Sequence, residues 1–402
     1  MSKRTLNGVP TVDLDPYDPV ILADPADFHE QLREAGPVVW LSRYEVYASG
    51  RFDQVQAALR MHEELISSAG VGLPDLRVAE FWRPPSVILE ADRPEHTPRR
   101  AVLNRVLSPR ALKKVWEPFA AAADRLVDQL LERRTFDAVT DLAEIFPLIV
   151  FPELVGLNDE VRPHLLAYGD LAFNSGGPRN DLMKAALERS TDAVAAVMAQ
   201  TERTELRTDG IGSQIWSAVD GGGVTEAEAA QLIRSLLAAG VDTTVAGISA
   251  AIYGLAAHPD QWQLLKSEPN RARAAFEEAI RWESPAQTFY RTAARDADLG
   301  GVTVPAGARV ALSLASANHD PRRFENPDVY DINRGIAGGH VGFGFGIHQC
   351  AGQHLGRLEG EAILSALARK VDVLELTGTP ARRLNNTLRS WGLLPMAVTA
   401  AR

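Results

Sequence analysis

The sequence predicts a mainly α fold with a minor β portion, organised as a single domain over residues 1–402. Three observations carry this expectation. Apolar residues recur at helical spacing through most of the chain from Ser108 to Arg281. β-Branched residues gather instead near the N-terminus and between 302 and 310. No internal repeat or low-complexity linker divides the chain, and its Pro and Gly residues are scattered.

Taken in chain order, Val38–Trp40 and Glu45–Ala48 read as short strands. From Ser108 to Arg134, Leu112, Val115, Trp116, Phe119, Ala123 and Leu126 fall on one helical stripe. The longest predicted helix opens at Thr225, where Glu228 three residues later completes a capping-box signature, and runs to His258, where Pro259 stops it. At 1.5 Å per residue it would span roughly 50 Å. Its centre, Ala239-Gly240-Val241-Asp242-Thr243-Thr244, holds poor helix formers. Such a centre marks either a functional site or a packing glycine beside threonines that bond back to the helix. Val302, Val304 and Val310, with a Pro305-Ala306-Gly307 turn, form a later β section, and the last long helix runs from about Gly352 to Lys370.

Composition narrows the function classes. Hydrophobic residues make up 46% and charged residues 23% of 402, which excludes wholesale disorder. A net charge of −10 disfavours nucleic acid as a partner. Cys350 is the only cysteine, so no intramolecular disulfide forms, in keeping with a reducing compartment. The N-terminus MSKRTLNGVP has no apolar core of a signal peptide. The apolar run Thr243–Ala257 is shorter than the 18 or so residues a membrane span needs. The expectation is a soluble cytoplasmic protein with no membrane association.

The segment Phe343-Gly344-Phe345-Gly346-Ile347-His348-Gln349-Cys350-Ala351-Gly352 places the lone thiol just before a helix. The positive end of the helix dipole favours thiolate there. Glycines on either side let a flat ligand approach the backbone. One thiolate cannot build a tetrahedral zinc site, whereas it can serve as a single axial ligand to haem iron. A buried structural cysteine is the alternative on the cysteine alone.

Phe343-x-x-Gly346-x-x-x-Cys350-x-Gly352 resembles the haem-thiolate signature of the cytochrome P-450 monooxygenases. Glu278-Ala279-Ile280-Arg281 is similar to the Glu-x-x-Arg pair of that family, and Ala239-Gly240-x-Asp242-Thr243 to its oxygen-activation motif, in the same order along the chain. The resemblance implies haem b held between a long central helix and the Cys350 loop, with Cys350 as axial ligand. It implies that Glu278 and Arg281 form a buried structural network, and that His96, Arg100, Arg291 and His348 bind the haem propionates. Phe343 and Gly352 belong to the cofactor-binding loop. Asp242 and Thr243 are the implied catalytic pair, which manages proton delivery to dioxygen.

A second tier of resemblance concerns substrate. Trp82-Arg83-Pro84-Pro85-Ser86, Phe173-Asn174, Arg234-Ser235 and Gln287-Thr288-Phe289 look like a bacterial subgroup that oxidises para-substituted benzoic acids, typically demethylating 4-methoxybenzoate. The resemblance implies that Arg83, Ser86, Arg234 and Ser235 form the carboxylate end, and that Leu89, Phe173, Ala239, Ala286 and Phe289 line the apolar pocket. Ser235 and Thr243 are eight residues apart, about 12 Å along one continuous helix. That separation suits a benzoate whose para substituent lies near the oxygen. One departure stands out: relatives carry a second aromatic three residues after the Phe173 counterpart, and here Gly176 occupies that position. The pocket is then either wider or closed by a different loop.

Two rivals remain at this level. One is a monooxygenase for another small apolar substrate, such as a terpenoid; the other is a haem-binding sensor or carrier. The resemblance implies separate redox partners, an iron–sulfur ferredoxin and its NAD(P)H-dependent reductase, docking near the Cys350 loop with help from Arg99 and Arg357.

Overall fold

The two N-terminal strands form at Val39–Leu41 and Val46–Ser49, one residue later than the pattern places them. The computed structural model describes residues 5–6, 8–79, 81–335 and 339–401. Both strands belong to a seven-stranded sheet whose central strand is Val46–Ser49; beside it runs Arg309–Ser313, parallel to Val46–Ser49 and antiparallel to Thr288–Ala293. Alternation along Thr288–Ala293 sets Phe289 and Arg291 on one face of the sheet. Val302–Val304 pairs with Ala297–Leu299 in a separate hairpin. Val371–Leu376, Pro395–Ala400 and Thr135–Asp137 make a three-stranded sheet, and Ala381–Arg383 pairs with Ser390–Leu393.

Helices supply the core. The Ser108–Arg134 stripe resolves into Pro109–Leu112, one 3₁₀ turn and Trp116–Arg133, with the Ser108 hydroxyl accepting from the Ala111 N–H at 3.2 Å. Trp116–Arg133, Asp242–Ala257, Ala272–Glu283 and Gln353–Lys370 pack together through buried residues such as Ala123, Leu126, Ile248, Phe276, Ile363 and Leu367. Each fully buried Leu, Ile or Phe contributes about 1.5–3 kcal/mol. The last helix begins at Gln353, one residue later than expected, and ends at Lys370 as expected.

The long central helix is not continuous. It runs Glu226–Ala239 and resumes as Asp242–Ala257, with Gly240 and Val241 between. The capping box at its start is made in both directions: Thr225 Oγ1 accepts from the Glu228 N–H, and Glu228 Oε2 accepts from the Thr225 N–H. The break arises from side chains that take over the ladder. Thr243 Oγ1 donates to the Ala239 carbonyl at 2.8 Å and Thr244 Oγ1 to the Gly240 carbonyl at 3.3 Å, groups that an unbroken helix gives to backbone N–H. A Cβ at Gly240 would lie 2.4 Å from the Phe151 ring, so packing demands glycine where the helix yields. The two limbs together, Glu226–Ala257, are long and apolar enough to cross a membrane, contrary to the count made on the Thr243–Ala257 run alone. Two-thirds of its apolar 18-residue window is buried inside the protein, as in a core helix.

Glu278 and Arg281 are both buried and meet in a bidentate pair, Oε1···Nη2 and Oε2···Nε both 2.8 Å. Arg281 also donates to the carbonyls of Asn318 and Pro327, while Glu278 accepts from Arg334 Nε and the Asp331 N–H. The buried Glu278 carboxylate is thus paired and hydrogen-bonded on both oxygens, and Arg281 is satisfied by it and by carbonyls, which is the condition for burying an ion pair.

Candidate active site

A cavity of about 350 Å³ lies between the central helix and the Cys350 loop. Of the residues singled out in the sequence, Arg83, Ser86, Leu89, Arg100, Phe173, Arg234, Ser235, Ala239, Thr243, Ala286, Phe289, Arg291, Phe343, His348, Cys350 and Gly352 line it. Of the implied catalytic, cofactor-binding and substrate-binding residues, two do not: His96 and Asp242 are buried beside it. Residues from six separate stretches of the chain thus converge on one space.

The Cys350 end is built by a tight loop. Gly344 and Gly346 have φ of +69° and +74°, conformations open to glycine, and a Cβ on Gly346 would lie 2.5 Å from the Leu59 carbonyl oxygen. The Cys350 N–H donates to the Phe343 carbonyl at 2.8 Å, which closes the loop. Cys350 is accessible within the cavity. Loss of solvation pushes its thiol up, against the pull of the Gly352 and Gln353 N–H groups and of the Arg100 and Arg357 charges. The helix terminus alone therefore does not outweigh burial, whereas a bound metal cation deprotonates a coordinating thiol outright. No group of three or more His, Cys, Asp or Glu side chains arranged to hold a metal occurs among the described residues, so any metal here rests on this single sulfur.

Beside the sulfur sits a basic cluster. The His96 and His348 rings lie 4.5 Å apart, and the Nε2 atom of each is buried with no hydrogen-bond partner. Burial and the Arg100 charge hold His96 down at about 4, while burial and Arg291 hold His348 down at about 3. Arg291 is itself lowered by burial to about 10. Orphaned ring nitrogens beside the buried Arg291 and the half-buried Arg100 fit a dianionic group at this edge.

Thr243 faces the cavity from the helix break. Asp242 turns the other way: a Cβ on Gly169 would lie 1.6 Å from its Oδ2, which is buried without a partner. Burial pushes the Asp242 carboxyl well above the carboxylate range, despite the opposing Arg383 charge, and the acids Asp170 and Glu144 add to the rise. The acid–alcohol pair is adjacent in sequence but divided between the cavity and the protein interior.

At the far end, Ser86 Oγ and Ser235 Oγ are 3.0 Å apart, bridging the Trp82–Ser86 loop to the central helix. Ser235 Oγ donates to the Gln231 carbonyl, and Ser86 Oγ accepts from the Leu89 N–H at 3.2 Å. The arginines are not free to form the double hydrogen bonds to a ligand that their type suggests. Arg83 donates both Nη groups to Glu90, and Arg234 donates to the Pro84 and Pro85 carbonyls. Glu90 and Tyr168, which also line the cavity, gave no signal in the sequence. Neither belongs to a short motif, and the Arg83–Glu90 pair lies in a loop with no helical periodicity.

The missing aromatic leaves no open hole. The Leu73 N–H donates to the Gly176 carbonyl at 2.7 Å, and a Cβ on Gly72 would lie 2.7 Å from the Gly176 Cα. A Cβ on Gly176 would meet Thr387 Cγ2 at 2.9 Å. Backbone has closed over the position the aromatic would fill. Of the two cations expected to help dock a redox partner, Arg99 pairs with Glu228 at 2.7 Å, and Arg357 pairs with Glu277 and stacks on Phe343, its side chain 14% exposed.

Comparison with known proteins agrees with this geometry. The cytochrome P450 family model matches residues 178–395, and the chain belongs to the cytochrome P450 family. It is a haem-thiolate monooxygenase that uses haem b with Cys350 as axial ligand. Among curated relatives, it is 51% identical to cytochrome P450 CYP199A2 of Rhodopseudomonas palustris, over 98% of this chain and 96% of that protein. Among solved structures, it is similar to CYP109Q5 from Chondromyces apiculatus, with a TM-score of 0.82 and 30% identity over 97% of this chain and 99% of that one. It is also similar to cytochrome P450 CREJ in complex with (4-ethylphenyl) dihydrogen phosphate, with a TM-score of 0.82 and 25% identity over 96% of this chain and 99% of that one. The class uses dioxygen and redox partners.

Proposed function

We propose that this monooxygenase hydroxylates or O-demethylates a para-substituted aromatic carboxylic acid such as 4-methoxybenzoate. The single observation behind the reading is the polarity of one cavity: Ser86, Ser235, Arg83 and Arg234 gather at one end, Thr243 and Cys350 at the other, with Leu89, Phe173, Ala239, Ala286 and Phe289 among the lining. A flat apolar ring with one charged end suits that arrangement.

The bound haem supplies reductive activation of dioxygen and insertion of one oxygen atom into a C–H bond. The second atom leaves as water, with two electrons from a ferredoxin and reductase and two protons. With a methoxy group, the product hemiacetal collapses to the phenol and formaldehyde. In this reading, His96, Arg100, Arg291 and His348 hold the propionates, and Phe343 and Gly352 shape the loop that presents Cys350. Ser86 Oγ donates to the substrate carboxylate, and the arginines supply positive charge at that end. Thr243 positions water at the helix break, and Asp242, whose carboxyl is pushed toward the protonated form by burial, is the acid behind it. Residues 1–402 act as one domain, in the cytoplasm.

The test is a low-spin to high-spin Soret titration with 4-methoxybenzoate and the neutral 4-methoxytoluene. The acid should bind at least ten times more tightly. Equal affinities would overturn the aromatic-acid reading and leave the family assignment standing.

A further inference from the structure

A site that recognises an acid has no evident need for a buried acid of its own. Yet one of the ionisable residues lining this cavity is Glu90, alongside Arg83, Arg100, Arg234 and Arg291. Its side chain is 3% exposed. Both oxygens are committed: Oε1 accepts from Arg83 Nη2 at 3.0 Å, and Oε2 accepts from Arg83 Nη1 at 2.8 Å and from the Ser86 N–H at 2.6 Å. The Glu90 N–H returns a bond to the Ser86 carbonyl at 3.1 Å, so the Ser86–Glu90 turn is closed from both sides.

Arg234 differs. It is 2% exposed and donates to neutral acceptors, the carbonyls of Pro84 and Pro85 and the side chain of Gln231. Glu90 cancels the charge of Arg83, and among the described residues no carboxylate pairs with Arg234. The polar end is left with one uncompensated positive charge. A buried charge of this kind gains most from one opposite charge. A second negative charge on the same ligand would face Glu90 with no partner.

We infer that Glu90 sets the charge number of this end of the cavity and thereby selects singly charged acids over dianions of the same shape. It acts through Arg83 and Ser86 rather than by touching substrate, and is a positioning and specificity-determining residue. The inference rests on the acid end proposed above.

Holoenzyme spin-state titrations with 4-ethylbenzoate, 4-ethylphenyl phosphate and neutral 4-ethyltoluene test it. The second ionisation of a phosphate monoester falls near pH 6. For the wild type, phosphate affinity should drop about tenfold or more between pH 5 and pH 8, while carboxylate affinity stays level. The ionisable groups facing this end are Glu90, Arg83, Arg234 and Tyr168. Burial raises Tyr168 above its ordinary range, and arginine keeps its proton throughout the interval. Glu90→Gln should flatten the phosphate slope and raise phosphate affinity relative to carboxylate about tenfold at pH 8. Glu90→Asp keeps the charge and should keep the wild-type ratio, even if both ligands weaken. A merely structural glutamate would weaken all ligands alike. A wild-type phosphate affinity that does not change with pH, or an unchanged ratio in Glu90→Gln, overturns the inference. Equal wild-type affinity for 4-ethylbenzoate and 4-ethyltoluene would instead overturn the acid reading beneath it, and Glu90's role with it.

Discussion

Replacing Ser86 with Ala should weaken binding of 4-methoxybenzoate more than replacing Ser235 does. Each hydroxyl has one proton to give. Ser235 Oγ gives its proton to the Gln231 carbonyl at 2.8 Å, so in the 3.0 Å contact between the two serines Ser86 is the donor. An incoming carboxylate takes over the Ser86 proton and need not disturb the Ser235–Gln231 bond. Hydrogen bonds to charged groups contribute about 1.5–3 kcal/mol, so Ser86→Ala should raise the acid's dissociation constant about ten- to hundredfold. Ser235→Ala should raise it severalfold, since it removes a partner of Ser86 rather than the donor to the ligand. Binding of methyl 4-methoxybenzoate, which carries no charge, should hardly change in either variant. Dissociation constants for acid and ester, read from the spin-state shift, give the ratio that decides. Equal losses for both ligands, or a larger loss in Ser235→Ala, would refute the donor assignment.

Three further outcomes concern Cys350, Thr243 and Glu359. Cys350→Ser should abolish the red-shifted Soret band of the ferrous carbonyl complex, since no other thiol exists in the chain; a surviving band would remove the ligand assignment. Thr243→Ala should retain substrate binding but divert NADH to hydrogen peroxide, and unchanged product per NADH would reduce Thr243 to a helix-breaking residue. Glu359 is buried, with both side-chain oxygens unpartnered, and burial pushes its carboxyl well above the usual range. A folded value raised above the unfolded one means stability is lost as pH rises beyond the unfolded value, by up to about 1.4 kcal/mol per pH unit. Glu359→Gln should therefore melt near the wild type at pH 5 and progressively above it toward pH 8; a constant gap across that range would refute this.

The sequence by itself determined features whose causes are local. Thr225 and Glu228 cap a helix because three residues separate them, and Pro259 begins the next helix because it cannot extend the previous one. Glu278 and Arg281 share a helix face for the same reason, and the glycines around Cys350 fix a turn within ten residues. The tertiary structure decided what depends on neighbours far away in the chain. Gly240 breaks the central helix where the Phe151 ring leaves no room for a Cβ. Asp242 faces Gly169 on another helix and so leaves the cavity that its neighbour Thr243 enters. Gly176 does not widen the pocket, because Gly72 and Thr387 close on it. Ser86 meets Ser235 across 149 residues, and Glu90 removes Arg83 from the role its type suggested. Helical periodicity and turn chemistry act over a few residues, whereas burial and charge compensation are set by whatever the fold packs alongside, and those neighbours settled which side chains face this cavity.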